Sequence, residues 1–146
     1  LYREGARKMS SFIQNPWPSG IPVLFIPGNA GHYKQGRSLA SVSSILCDEI
    51  KEKTGLSSGP EFDFYNVDSR EELSALNGEI LMEQTQYVND CIRAILKVYE
   101  YLPENATSEL PARPTSVLLI GHSMGGLIAS AVFTQDNYIP NSVTTI

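Results

Sequence analysis

The segment SVLLIGHSMGGLIASAVF, Ser116 to Phe133, leaves few folds open to this chain. Val117–Ile120 is a short apolar run with no polar alternation, which reads as a strand buried on both faces, as in a parallel sheet between helix layers. It meets Gly121, His122, Ser123, Met124 and Gly125, and then residues that favour helix up to Thr134. A buried strand passing through a glycine-flanked turn into a helix is one half of a βαβ unit.

The rest of the chain repeats that alternation. Pro22–Ile26 is a second buried strand, ending at Pro27-Gly28, and Phe62–Val67 a third. From about Lys34 to Lys53, Leu39, Val42, Leu46 and Ile50 recur at helical spacing, with Gly55 as the stop. The clearest helix follows, because Ile80, Gln84, Tyr87, Val88, Cys91, Ile92, Ile95, Leu96 and Tyr99 mark one face over several turns. A fourth strand begins near Ser142. Residues 1–20, with the proline-bracketed QNPWPSG, form an irregular lead-in, and 21–146 form one partial domain.

Strands alternating with helices predict an α/β fold, a parallel sheet covered on both faces. Parallel crossovers are right-handed, so a reversal of strand order sends successive helices to opposite faces and opens a crevice at the carboxyl ends of the strands. If Pro22–Ile26 pairs between the other two strands, Cys47 and Cys91 lie on opposite sides of the sheet and both stay free thiols.

Composition excludes several functions. With 42% hydrophobic residues the chain has material for a core. A net charge of -5, with 11 scattered basic residues, argues against nucleic acid as a partner. No window reaches the roughly 20 apolar residues of a membrane span. The two cysteines have no metal-site spacing, and nothing implies a metal or another cofactor.

Chemistry concentrates at Gly121-His122-Ser123-Met124-Gly125, a G-x-S-x-G motif between a predicted strand and a predicted helix. In that context Ser123 is the candidate nucleophile of an α/β-hydrolase fold. Gly121 and Gly125 leave room for the helix to pass close under the strand, and Gly126 extends the tolerance. The opening turn of the helix aims N–H groups at the hydroxyl, with Met124 as one oxyanion donor. FIPGNAG after the first core strand supplies the second, from Asn29. An alternative reading makes Ser123 simply the N-cap of its helix. His122 points away from its neighbour in a tight turn and packs beside the elbow, and His32 is a loop residue. No histidine follows Ser123, and the only later acid is Asp136. The triad is therefore incomplete in this segment: either its base is expected beyond Ile146, in a longer protein of which this is a truncated part, or catalysis has been lost.

Four stretches, GIPVLFIPGNAGHYKQGRS, DFYNVDSREELSALNG, VNDCIRAILKVYE and VLLIGHSMGGLIA, together resemble the catalytic portion of the GPI inositol-deacylases, lipase-like α/β-hydrolases. His32 and Gly36 depart from the pattern, standing where a small polar and an apolar residue are expected. The resemblance implies hydrolysis of the acyl ester on the inositol of GPI anchors, with GPI-anchored proteins or another acyl-ester lipid as substrate, at the lumenal side of the endoplasmic reticulum membrane. It implies membrane association through regions outside this segment, and it gives meaning to the glycosylation triplet at Asn105. The residues alone leave open another lipase, esterase or thioesterase, or a non-catalytic lipid- or protein-binding module on the same scaffold.

Overall fold

The computed structural model describes residues 2–3, 18–29, 31–55, 61–68, 78–101 and 113–144. The Asn105 triplet lies outside them. In chain order the elements are β1 (Tyr2–Arg3), β2 (Ile21–Ile26), a 3-10 turn (Tyr33–Gln35), α1 (Gly36–Thr54), β3 (Phe62–Asn66), α2 (Gly78–Glu100), β4 (Val117–Gly121), α3 (Met124–Ala131), a second 3-10 turn (Val132–Thr134) and β5 (Val143–Thr144).

The sheet order is β1-β3-β2-β4-β5. β2, β3, β4 and β5 pair in parallel, with Val23 opposite both Phe64 and Leu118. The first core strand therefore pairs between the other two, and this is the α/β-hydrolase arrangement. β1, within the stretch read as lead-in, adds an antiparallel edge through Tyr2 opposite Asn66. Two residues carry no periodicity, so the sequence holds no signal for it.

Alternation along the strands divides the core. Leu24, Ile26, Tyr65, Val67, Val117 and Leu119 meet Val88, Ile92, Ile95 and Tyr99 of α2 and Ile128 of α3. Tyr87 departs from its predicted face and is 41% exposed, while Thr85 and Asn89 are buried. Burying Asn89 costs little because its Nδ2 donates to the Val132 carbonyl at 2.9 Å and to Asn137 Oδ1 at 3.1 Å. Asp63 is a second polar tie: its Oδ2 accepts from the Gly20 N–H at 2.7 Å and from the Tyr99 hydroxyl at 2.8 Å.

The opposite face is built from Val23, Phe25 and Phe64, all buried, with α1 above β3. Gly36 explains its departure from the family pattern: a Cβ there would collide with Asn66 Oδ1 and sit 3.2 Å from Phe25 Cδ1. Here the start of α1 rests on the side chain of Asn66, which would have to move to admit a side chain at position 36. His32 has an equally local cause. It is the N-cap of the 3-10 turn, where Nδ1 accepts from the Lys34 N–H at 3.1 Å, the role usually taken by a small polar side chain. Cys47 on α1 and Cys91 on α2 are both free thiols.

Candidate active site at the elbow after β4

At Ser123 the backbone takes φ 56° and ψ -121°, far outside the regions open to a serine without strain. The turn imposes it. His122 N–H still donates to the Ile26 carbonyl at 3.0 Å, continuing the pairing of β4 with β2, while Gly125 N–H donates back to the His122 carbonyl at 2.9 Å and Gly126 N–H to the Ser123 carbonyl at 2.9 Å. The chain must leave the sheet and start α3 within three residues. Ser123 is exposed and its side chain makes no capping hydrogen bond to the helix. Its backbone occupies the N-cap position, but its hydroxyl is not spent on the cap, contrary to the N-cap reading.

The glycines have separate reasons. A Cβ on Gly121 would lie 2.5 Å from the Gly125 carbonyl carbon and 2.6 Å from Gly126 Cα. On Gly125 it would strike the Ile26 carbonyl oxygen and approach that of Pro27 to 2.7 Å. Neither position has the positive φ that favours glycine, so the constraint is space. Gly126 differs from expectation: a Cβ there meets only the Gly121 carbonyl oxygen, at 3.8 Å, and a side chain fits.

The loop after β2 closes on the serine. A Cβ on Gly28 would be 3.0 Å from Ser123 Cβ, 3.1 Å from the His122 carbonyl oxygen and 3.3 Å from His122 Nδ1. Gly31 N–H donates to the Gly28 carbonyl at 2.8 Å, and Asn29 is exposed. Met124 opens α3 directly after Ser123. Ser123 and the loop bearing Asn29 are thus brought together, and His122 sits exposed beside them. His32 is engaged in its own turn. Asp136 falls in the exposed turn beyond the far end of α3, whose 8 residues span about 12 Å.

A small apolar cleft opens at the carboxyl ends of β2 and β3, between Ile26, Gly28, Val67, Tyr87, Val88 and Ile128. Gly28 belongs both to its wall and to the contact with Ser123. The carbonyls of Ile26 and Pro27, the seat of Gly125, were invisible in the sequence because any residue supplies a carbonyl. Asn89 and Asn137 were also missed. They fix the far end of α3, since Asn137 Nδ2 donates to the Gln86 carbonyl at 2.9 Å and Arg93 Nη2 donates to the Asn137 carbonyl at 3.1 Å. An isolated asparagine, on a helix as Asn89 or in a turn as Asn137, gives no pattern to read.

Relatives carry the same domain. The GPI inositol-deacylase of Eremothecium gossypii is 42% identical over 148 residues, covering 100% of this chain and 14% of that protein. The protein of that name from Coccidioides immitis is 46% identical over 134 residues, 87% of this chain and 11% of the relative. That from Schizosaccharomyces pombe is 42% identical over 153 residues, 100% and 13%. The chain thus spans 11–14% of the length of these curated relatives. The PGAP1-like alpha/beta domain matches residues 17–146, which include β2 to β5 and the whole elbow, and the chain belongs to that family.

Proposed function

We propose that the full-length protein is a serine ester hydrolase that removes the fatty acyl chain from the inositol of GPI anchors, with Ser123 as nucleophile. The observation that carries this is the backbone of Ser123, strained at φ 56° and ψ -121° with the hydroxyl exposed and not used as a helix cap. Strain of this kind persists only where the surroundings enforce it, and it serves to present a side chain.

Ser123 Oγ attacks the acyl carbonyl while its proton passes to a histidine supplied from beyond residue 146. The N–H groups of Met124 and Asn29 stabilise the oxyanion, aided by the positive end of α3. The inositol oxygen then leaves with the proton from that histidine. Water, activated by the same base, cleaves the acyl-serine and releases the fatty acid. The substrate follows from the names of the relatives, each a GPI inositol-deacylase. Among the described residues no helix is long and apolar enough to cross a membrane, so attachment to the endoplasmic reticulum membrane, with this domain lumenal, rests on other parts of the protein.

The test is fatty-acid release from inositol-acylated anchors by the full-length protein in membranes, with fluorophosphonate labelling in parallel. Release and labelling, both lost in Ser123→Ala, are the expected result. Hydrolysis of soluble esters alone would point to a different esterase, and absence of labelling to a non-catalytic module.

A further inference from the structure

Two long cationic side chains stand beside the elbow and take no part in the reaction as written. Gln35 Oε1 lies 3.0 Å from where a Cβ on Gly31 would be, so the 3-10 turn Tyr33–Gln35 rests on the loop that bears Asn29. Gly36 follows it, seated over Phe25 and Asn66 at the carboxyl ends of β2 and β3. Lys34 and Arg37 flank these contacts, and both are exposed. His122 joins them. It comes two residues after Ile120, which pairs with Phe25 and shares its side of the sheet, and its Nδ1 lies 3.3 Å from where a Cβ on Gly28 would be. Lys34, Arg37 and His122 therefore stand on one side of Ser123, the α1 side.

Among the described side chains, the other lysines and arginines lie elsewhere. α1 and α2 run back from the carboxyl ends of the strands, so Lys51, Lys53 and Lys97, in their last turns, are at the far end of the sheet. Arg113 is there too, donating to the Glu100 carbonyl at the end of α2. Arg93 is about 22 Å along α2 from Gly78 and is tied to the Asn137 carbonyl. Across the elbow the charge is reversed: Asp68 follows β3, and Glu79 and Glu83, both exposed, lie in the first two turns of α2. In a chain of net charge -5, the serine thus sits between a cationic α1 side and an anionic α2 side. Fixed charges arranged in this way orient an ionic substrate, drawing its anion to the α1 side and repelling it from the other.

We propose that Lys34 and Arg37, with His122 beside them, form the site for the phosphodiester of a phosphoinositol whose ring carries the reacting ester. The assignment rests on Ser123 being the nucleophile of the proposed function. Phosphate and acyl ester are borne by one inositol ring, so an ester carbonyl held at Ser123 leaves the phosphate a ring's width away, where side chains rooted on the adjoining loop reach it. Arg37 offers a planar fork of N–H donors and Lys34 a compact charge. An ester without a phosphate has no such anchor, so the pair selects the substrate by its headgroup and turns the ring toward the serine.

Binding and turnover are measured separately on the full-length protein. Calorimetry compares glycerophosphoinositol with inositol on Ser123→Ala protein, which holds ligand without turnover. The phosphodiester should bind about tenfold or more tighter, and the difference should vanish when Lys34→Gln and Arg37→Gln are added. Equal binding of the two ligands, a difference that survives both substitutions, or equal displacement by inorganic phosphate would overturn the site. With the serine intact, the same two substitutions should raise KM for inositol-acylated phosphatidylinositol about tenfold, with kcat within about twofold, and leave phosphate-free acyl-inositol unaffected. A matching fall in kcat on both substrates would show that the pair only supports the loop, and would overturn the proposal. Wild-type protein that binds glycerophosphoinositol through the pair but takes no fluorophosphonate would overturn the hydrolase reading and leave the phosphodiester site standing.

Discussion

Gly125 is seated against the carbonyl of Ile26 so closely that a Cβ on it would strike the oxygen, while Gly126, one residue on, would meet only the Gly121 carbonyl, at 3.8 Å. Two adjacent glycines of one motif thus answer to different physics. Gly125→Ala should cost about 3 kcal/mol or more, since backbone rather than a flexible side chain must move. Gly126→Ala should leave stability unchanged or raise it by about 0.5–1 kcal/mol, as helix propensity predicts. Urea denaturation of the two variants checks this, and equal losses would place the helix start elsewhere.

Ser123 stands at φ 56° and ψ -121°, a conformation that glycine adopts without penalty. Ser123→Gly is predicted to abolish hydrolysis and to stabilise the fold by about 1 kcal/mol, with Ser123→Ala nearly neutral. Thermal unfolding beside an activity assay would show the opposition, and a Ser123→Gly protein less stable than Ser123→Ala would contradict the strain.

Tyr99 is fully buried, and its phenol is pushed well above the ordinary tyrosine range by burial first and then by the neighbouring charge of Asp63. In the unfolded chain the phenol loses its proton near pH 10, while the folded protein keeps it. Folding stability from this group is therefore complete below about pH 10 and falls as pH rises beyond it. Tyr99→Phe should cost about 1 kcal/mol at neutral pH, because Asp63 keeps the Gly20 N–H, and should flatten the alkaline loss. Denaturation curves at neutral and alkaline pH compare the two proteins. A parallel alkaline decline in both would show that another group carries it.

Cys91 is buried and its thiol is raised by desolvation, whereas Cys47 is half-buried on α1 across the sheet. Native alkylation should modify Cys47 first and Cys91 only on unfolding. Mass spectrometry of unreduced protein should find no Cys47–Cys91 peptide. Such a peptide would contradict the strand order.

How much of this was legible depended on whether a property repeats along the chain. The strands Pro22–Ile26 and Val117–Ile120 and the helix through Val88, Ile92 and Ile95 were read from apolar runs and period, because burial on a sheet demands both. Gly121-His122-Ser123-Met124-Gly125 was legible because a strand meeting a helix in so few residues restricts residue type at fixed offsets. By itself, then, the sequence determined the α/β alternation, the elbow and the loop that faces it. Tertiary structure decided what depends on partners distant in the chain. Gly125 is required by the carbonyl of Ile26, Gly36 is favoured by the side chain of Asn66, and the buried Asn89 is satisfied by Val132 and Asn137. It also decided which side of α1 meets the sheet: a helical period states that a helix has an apolar stripe, but not what that stripe will touch.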